Sequence, residues 1–332
     1  MHTDQQRFWR HSIRTGCFLL LVTSLLLALS WVFAPRGNDA GSGTRHAEQR
    51  AFSAERRNSI DLFFLGDSSA FAGFSPLELW QKSGIASWVA AEPDETMSGV
   101  ETMLKQVLKT QHPKMIVLEP SLLFSSSETA SRILISRMKD AFSVFEYHDR
   151  WKTIRLQEIL QPQDAAYHNH RKGQHLYTDE IAYQGKEWMV PSGQPESIRL
   201  AVSAELRSFL DTCRQNHIRV VLMNVPNASA WNSARHDAVQ KLADQYQIPY
   251  IDLNLNREAR LGLDADTDFA DRYGQHLNYR GAGKVTRFLA RWLQANANLP
   301  DHRSDRRYRQ WNDDNLRYRQ ELEALDTASG RN

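Results

Sequence analysis

Residues 60–84, IDLFFLGDSSAFAGFSPLELWQKSG, decide the architecture of this chain. The run at 60–66 is short, continuous and apolar, as a strand buried on both faces must be. A polar turn, Gly66-Asp67-Ser68-Ser69, breaks it. The helix that follows has Ser75 as its N-cap, Pro76 in its first turn and Gly84 as its stop. Strand, turn and helix in this order are the repeating unit of a parallel sheet.

Outward from that unit the alternation continues. Strand candidates lie at 85–91, 114–120, 219–226 and 249–254, and helix-period segments at 98–111, 196–216, 233–246 and 282–294. Strands alternating with helices predict an α/β fold with a parallel sheet covered on both faces. Between about 122 and 191 the alternation stops, and this stretch reads as a helical or irregular insertion over the sheet. It concentrates polar and aromatic residues: His148, Arg150, Trp151, His168, His170, Arg171, Lys172 and His175. No pair of histidines one helical turn apart encloses a carboxylate, as a hydrolytic zinc helix would require. A buried structural role for His148 and Arg150, or contact with an anionic polymer, fits better.

Residues 16–34, GCFLLLVTSLLLALSWVFA, contain no charge and are long enough to cross a bilayer as a helix. Arg7, Arg10 and Arg14 precede the span, which favours a cytoplasmic segment 1–15 and an extracytoplasmic bulk. The small residues Ala28 and Ser30 also suit a signal peptidase, but the apolar run continues beyond them through Phe33, so an uncleaved anchor is the preferred reading. Residues 35–58, rich in Gly, Ser and charge at their start, read as a linker, with the folded domain at 59–298. Residues 299–332 form a charged tail, expected to be a solvated or docking helix.

Composition removes several classes of function. The 41 Lys and Arg against 39 Asp and Glu leave a formal charge of +2, which gives no reason to expect a nucleic-acid partner. The two cysteines, Cys17 in the span and Cys213 in a helix, offer no structural disulfide and no zinc spacing. No metal or cofactor is expected. Asp94 and Glu95 are adjacent acids without an identifiable partner across a sugar-sized gap. Asn227-Ala228-Ser229 matches a glycosylation acceptor.

Ligands of an open parallel sheet bind at the carboxyl ends of its strands, where Ser68 falls. A serine hydroxyl needs a base within hydrogen-bond reach. His276 is the best of twelve histidines for this, because it sits in a Gly-containing loop after the last strand and just before the last helix. Asp268 and Asp271 lie on the same loop. Ser69 is the nearest competitor of Ser68, and Asp67 reads as a turn-fixing acceptor.

Taken together, FLGDSSAFAGFSPLELWQKSGIASW (64–88), HPKMIVLEPSLLF (112–124), EYHDRW (146–151), VLMNVPNASAW (221–231), QIPYIDL (247–253) and DRYGQHLNYRGAGKVTRFL (271–289) resemble a known family. They are similar to the membrane-anchored SGNH, or GDSL-type, hydrolase-like proteins. These are DltD-like relatives that accompany membrane-bound O-acyltransferases. The resemblance spans about 59–295 and implies a flavodoxin-like doubly wound sheet with Ser68 as nucleophile and His276 as base. It implies acyl transfer or ester hydrolysis on a cell-surface polysaccharide or teichoic-acid-like polymer, with a membrane-bound O-acyltransferase as partner. The family's acid stands three residues before its His, where this chain has Tyr273, so Asp271 is the preferred acid and Asp268 the alternative. The oxyanion donors would be the amides of Ser68 and Ala91, the latter where the family has Gly, with the side chain of Asn227 or of Asn224. The alternative function is a catalytically inactive scaffold or polymer-binding subunit with the same fold.

Overall fold

The computed structural model describes residues 2–162, 166–191, 193–328 and 330. Five strands, β1 (Leu62–Leu65), β2 (Ser87–Val89), β3 (Met115–Leu118), β4 (Arg219–Asn224) and β5 (Tyr250–Asp252), form one sheet in the order β2-β1-β3-β4-β5, parallel throughout. This is the flavodoxin-like doubly wound order, in which the chain reverses direction of travel between β1 and β3. The strands are short and apolar because neither face meets water. Side chains alternate between two cores: Phe63, Leu65, Ile116 and Leu118 point to one, and Leu62, Phe64, Met115 and Val117 to the other.

The helices are α1 (His2–Phe33), α2 (Ser68–Gly73), α3 (Pro76–Ser83), α4 (Met97–Val107), α5 (Ala130–Ala141), α6 (Leu200–Gln215), α7 (Ser233–Tyr246), α8 (Tyr279–Asn296) and α9 (Arg309–Ala328), besides shorter turns of helix. Helices α4, α6 and α7 cover one face and α2 and α8 the other. α3 starts and stops as its residues dictate: the Ser75 hydroxyl accepts from the Glu78 amide, Pro76 occupies the first turn and Gly84 closes the helix at φ 69°. α1 contains a stretch apolar and long enough to span a membrane, and none of its most apolar window is buried in the protein.

One segment differs from expectation, and another takes one of the two forms left open. The stretch read as a linker is folded: Ala51 and Phe52 are buried, and Phe52 packs edge-on to Phe63 and Trp88 at 5.6 and 6.5 Å. Arg50 donates to Glu92 at 2.7 Å and to Glu146 at 2.8 Å, and the Asn38 side chain pairs with both backbone groups of Tyr167. The folded part therefore starts before Ser59. Asn38 and Arg50 are not parts of a solvated tether, because each has fixed partners.

The charged tail is a docking helix, the second of its two expected forms, and it reaches the core. Trp311, Asp314 and Tyr318 are buried along one face of α9, at the i, i+3, i+7 spacing of a helical stripe. Trp311 and Tyr308 pack on Trp80 at 5.2 and 6.0 Å, and Tyr318 shares a 3.0 Å hydrogen bond with Ser75. Of the two insertion residues expected to be buried, Arg150 is buried and donates to the Phe33 carbonyl at 2.7 Å, while His148 is exposed.

Candidate active site

The sheet ends place the site. After β1 the chain turns at Gly66, whose φ of +152° suits glycine alone, and a Cβ there would lie 2.8 Å from the Cβ of Ala70 and 2.9 Å from that of Glu119. The tight turn sets Asp67 as N-cap of α2, its Oδ1 accepting from the Ser69 amide at 2.9 Å, and starts the helix at Ser68. Ser68 is partly exposed just past the carboxyl end of β1, and Ser69 is buried.

The loop before α8 supplies the partner. It is held by a single antiparallel bridge between Phe269 and Leu277, and by Asn278, which caps α8 and donates to the Thr267 carbonyl at 2.8 Å. Gly274, at φ 63°, lets the loop fold back so that its carbonyl accepts from the Ala228 amide at 2.8 Å. Nε2 of His276 lies 3.0 Å from Oγ of Ser68, although the two residues are 208 positions apart. The imidazole stacks with Phe71 at 6.3 Å and lies against Tyr177 at 5.1 Å, which fixes its plane. Burial holds the His276 pKa below the ordinary imidazole value, against the opposite pull of Asp271. The ring is thus neutral at pH 7, as a base must be.

Asp271 stands behind the ring, with Oδ2 3.4 Å from Nδ1 of His276. The loop folds around this carboxylate: the amides of Tyr273 and Gln275 donate to Oδ1 at 2.9 and 3.1 Å, and the His276 amide donates to Oδ2 at 2.9 Å. Its orientation is set by backbone, which is how an acid five residues before the His reaches the same ring. The alternative, Asp268, is elsewhere: it is fully buried and paired with Lys284 at 2.7 Å. Asp268 is a structural ion-pair residue.

Asn227 lies beside the nucleophile candidate. Its amide nitrogen donates to Oγ of Ser69 at 2.9 Å, and its backbone is held by Oδ1 of Asn254 at 2.9 Å. Asn224 points away, to Glu119 and Tyr250. Ala91 is buried past the end of β2, and no hydrogen bond joins its amide to Ser68 among the described residues. The structure therefore brings together Ser68, His276, Asp271 and Asn227, leaving Ala91 without a direct link.

Sequence patterns gave no sign of what lies beneath. Oγ of Ser121 bridges Asp67 Oδ2, at 3.4 Å, and Glu119 Oε2, while the Asn224 side chain donates to Glu119 Oε1 at 2.8 Å. Glu119 is fully buried and is paired with no cation among the described residues, and burial together with Asp67 pushes its pKa up to about 8. Glu119 keeps its proton at pH 7 and passes a hydrogen bond through Ser121 to the carboxylate that caps α2. Unfolding releases that proton above about pH 4.3, so this group's contribution to stability is full below that pH and fades until about pH 8. Glu119→Gln keeps the bonds to Asn224 and to the Ser121 hydroxyl without titrating, at the cost of the bond that Oε2 accepts from the Ser121 amide. Its melting temperature is expected to gain on that of the native chain by several degrees between pH 5 and pH 8, as read by circular dichroism; parallel curves would mean that Glu119 is ionised in the fold.

No protein-family model matches the chain, and no curated protein does. Solved structures do. A lipase/acylhydrolase from Enterococcus faecalis aligns at 14% identity over 73% of this chain and 99% of its own, with a TM-score of 0.37. A GDSL-like lipase from Bacteroides thetaiotaomicron VPI-5482 aligns at 8% identity over 76% of this chain and 99% of its own, with a TM-score of 0.38.

Proposed function

We propose that this chain is a membrane-anchored, serine-dependent enzyme that moves an acetyl or similar acyl group to or from a cell-surface glycopolymer. The observation that supports this most is the 3.0 Å approach of Ser68 Oγ and His276 Nε2 from opposite ends of the sequence at the rim of the sheet. Ser68 Oγ attacks the acyl carbonyl as His276 Nε2 takes its proton. The donor's C–O bond then breaks, and the leaving oxygen receives that proton. In the second half, His276 deprotonates a sugar hydroxyl or water, whose oxygen attacks the acyl carbon; the bond from that carbon to Ser68 Oγ breaks, and Oγ takes the proton back from His276. Asp271 holds the imidazole and stabilises its charged form. The Asn227 amide, with the backbone amides of Ser68 and Ala91, is assigned to the negative oxygen of the tetrahedral intermediates.

The anchor and its arginine flank favour an extracytoplasmic domain. From the family resemblance we carry over, as part of the proposal, a membrane-bound O-acyltransferase as the source of acyl groups. The test is to incubate the full chain in detergent with p-nitrophenyl acetate, alone and with a polysaccharide acceptor. We expect nitrophenol release in both and acetyl esters on the polymer in the second. No release with either, from folded protein, would favour the non-catalytic scaffold.

The pH profile gives a further check. The acid limb of kcat/KM is expected below pH 6.5, because His276 is harder to protonate than a free imidazole. Asp271 favours the imidazolium, so Asp271→Asn should move that limb to still lower pH while reducing the rate about 10- to 100-fold. A limb that stays in place or moves up would remove Asp271 from its role.

A further inference from the structure

The last turn of α1 is gripped by the insertion. Oγ of Ser143 donates to the Ser30 carbonyl at 3.1 Å, the Val144 amide to Oγ of Ser30 at 3.3 Å, and Arg150 to the Phe33 carbonyl at 2.7 Å. One turn further on, Arg36 donates to the Ile159 carbonyl at 2.9 Å. The uncharged stretch ending at Ala34 is nineteen residues long, which at about 1.5 Å per residue roughly matches the ~30 Å hydrocarbon layer. Ser30 to Phe33 therefore reach the boundary between acyl chains and headgroups, and the segment fastened to them sits at the same depth.

That segment displays what an interface attracts. Trp151 is 66% exposed and Leu156 and Leu160 are each 78% exposed, large apolar side chains left open to the surroundings. Lys152 and Arg155 are exposed among them. The acids of the stretch are engaged: Asp149 with Arg45 at 2.8 Å and Glu158 with Arg150 at 3.3 Å. Apolar residues interleaved with cations are the composition of a segment lying in the headgroup layer of an anionic bilayer.

We propose that residues 148–160 form a second membrane contact, inserted into the lipid interface beside α1, which fixes the domain's height and tilt instead of leaving it on a tether. This rests on α1 spanning the bilayer, and the test separates the two. The full chain is reconstituted in nanodiscs of mixed phosphatidylcholine and phosphatidylglycerol with one nitroxide label, placed in Cys17→Ser on Leu25→Cys at the middle of the span, or on Leu156→Cys, Leu160→Cys or Lys241→Cys. Cys213 is buried, with its thiol pushed up to about 12, and stays unlabelled. Lys241 is exposed on α7.

At positions 156 and 160 the ratio of oxygen to nickel-chelate collisions is expected to exceed that at 241 by about threefold or more, with position 25, at the middle of the span, higher still. Values at 156 and 160 equal to that at 241, with position 25 deep in the bilayer, would overturn the second contact alone. Nickel-chelate access at position 25 would overturn it together with the span. All label sites are surface positions, and circular dichroism of each labelled chain checks that the fold is kept.

Discussion

Ser68→Ala is expected to lower kcat for acetyl-ester hydrolysis by about 10³-fold or more while leaving the melting temperature nearly unchanged. The hydroxyl is partly exposed, and the substitution removes its hydrogen bond to His276 from a site that water can reach, so stability has little at stake. Chemistry has nearly everything at stake, because no neighbouring oxygen can replace it. Ser69 is buried, and its Oγ is already taken by the Asn227 amide at 2.9 Å. Ser69→Ala should cost no more than about tenfold, through a less well-fixed Asn227. Steady-state kinetics of the two variants side by side decide the matter. Ser68→Ala within tenfold of the native chain would end the nucleophile assignment, and a larger loss in Ser69→Ala would transfer it to the neighbour.

The largest loss of stability is expected from Lys172→Ala. Lys172 is completely buried, yet it is charged and surrounded: Nζ lies 2.6 Å from Glu55, 2.8 Å from Asp314 and 4.4 Å above the ring of Trp311. His168 touches the same two carboxylates, at 3.5 and 2.7 Å. Removing the ammonium leaves two acids facing each other out of water, which costs about 3–5 kcal/mol, or roughly 10 °C in melting temperature for a domain of this size. Restoring neutrality with Glu55→Gln and Asp314→Asn in the same chain should recover much of the loss. A single variant melting within about 2 °C of the native chain would show that water, not protein, solvates these acids.

These two sites differ in how far the sequence revealed them. The five strands were legible because a parallel sheet covered on both faces demands unbroken apolar runs, and runs such as LFFL and MIVL say so locally. Ser68 and His276 followed from topology: a serine just past the first strand and a histidine in the loop between the last strand and α8 meet at the same rim. The acid was harder, since a position five residues before the His works only because three backbone amides turn Asp271 toward the ring.

Long-range polar pairing leaves no local period. Glu119 reads as a residue ending a strand, and nothing in its neighbours announces Ser121, Asn224 and Asp67 around it. Lys172 reads as one more charge in a polar insertion. The tail hid its stripe of Trp311, Asp314 and Tyr318 under a majority of charged residues, and the segment before Ser59 hid Phe52 in a stretch whose Gly and Ser content suggested freedom.

The Lys172 cluster also sets a clock on biogenesis. Glu55, on the amino side of the sheet's first strand, is made early, Lys172 follows, and Asp314 emerges only after every strand has left the ribosome. Until α9 docks, the cluster lacks one of its two carboxylates and Trp80 lacks its aromatic cover. A chain cut short before α9 would keep an apolar surface at Trp80 and an underpaired buried cation, the form that proteases and chaperones recognise. The docking of α9 thus marks the point at which the chain becomes resistant to them.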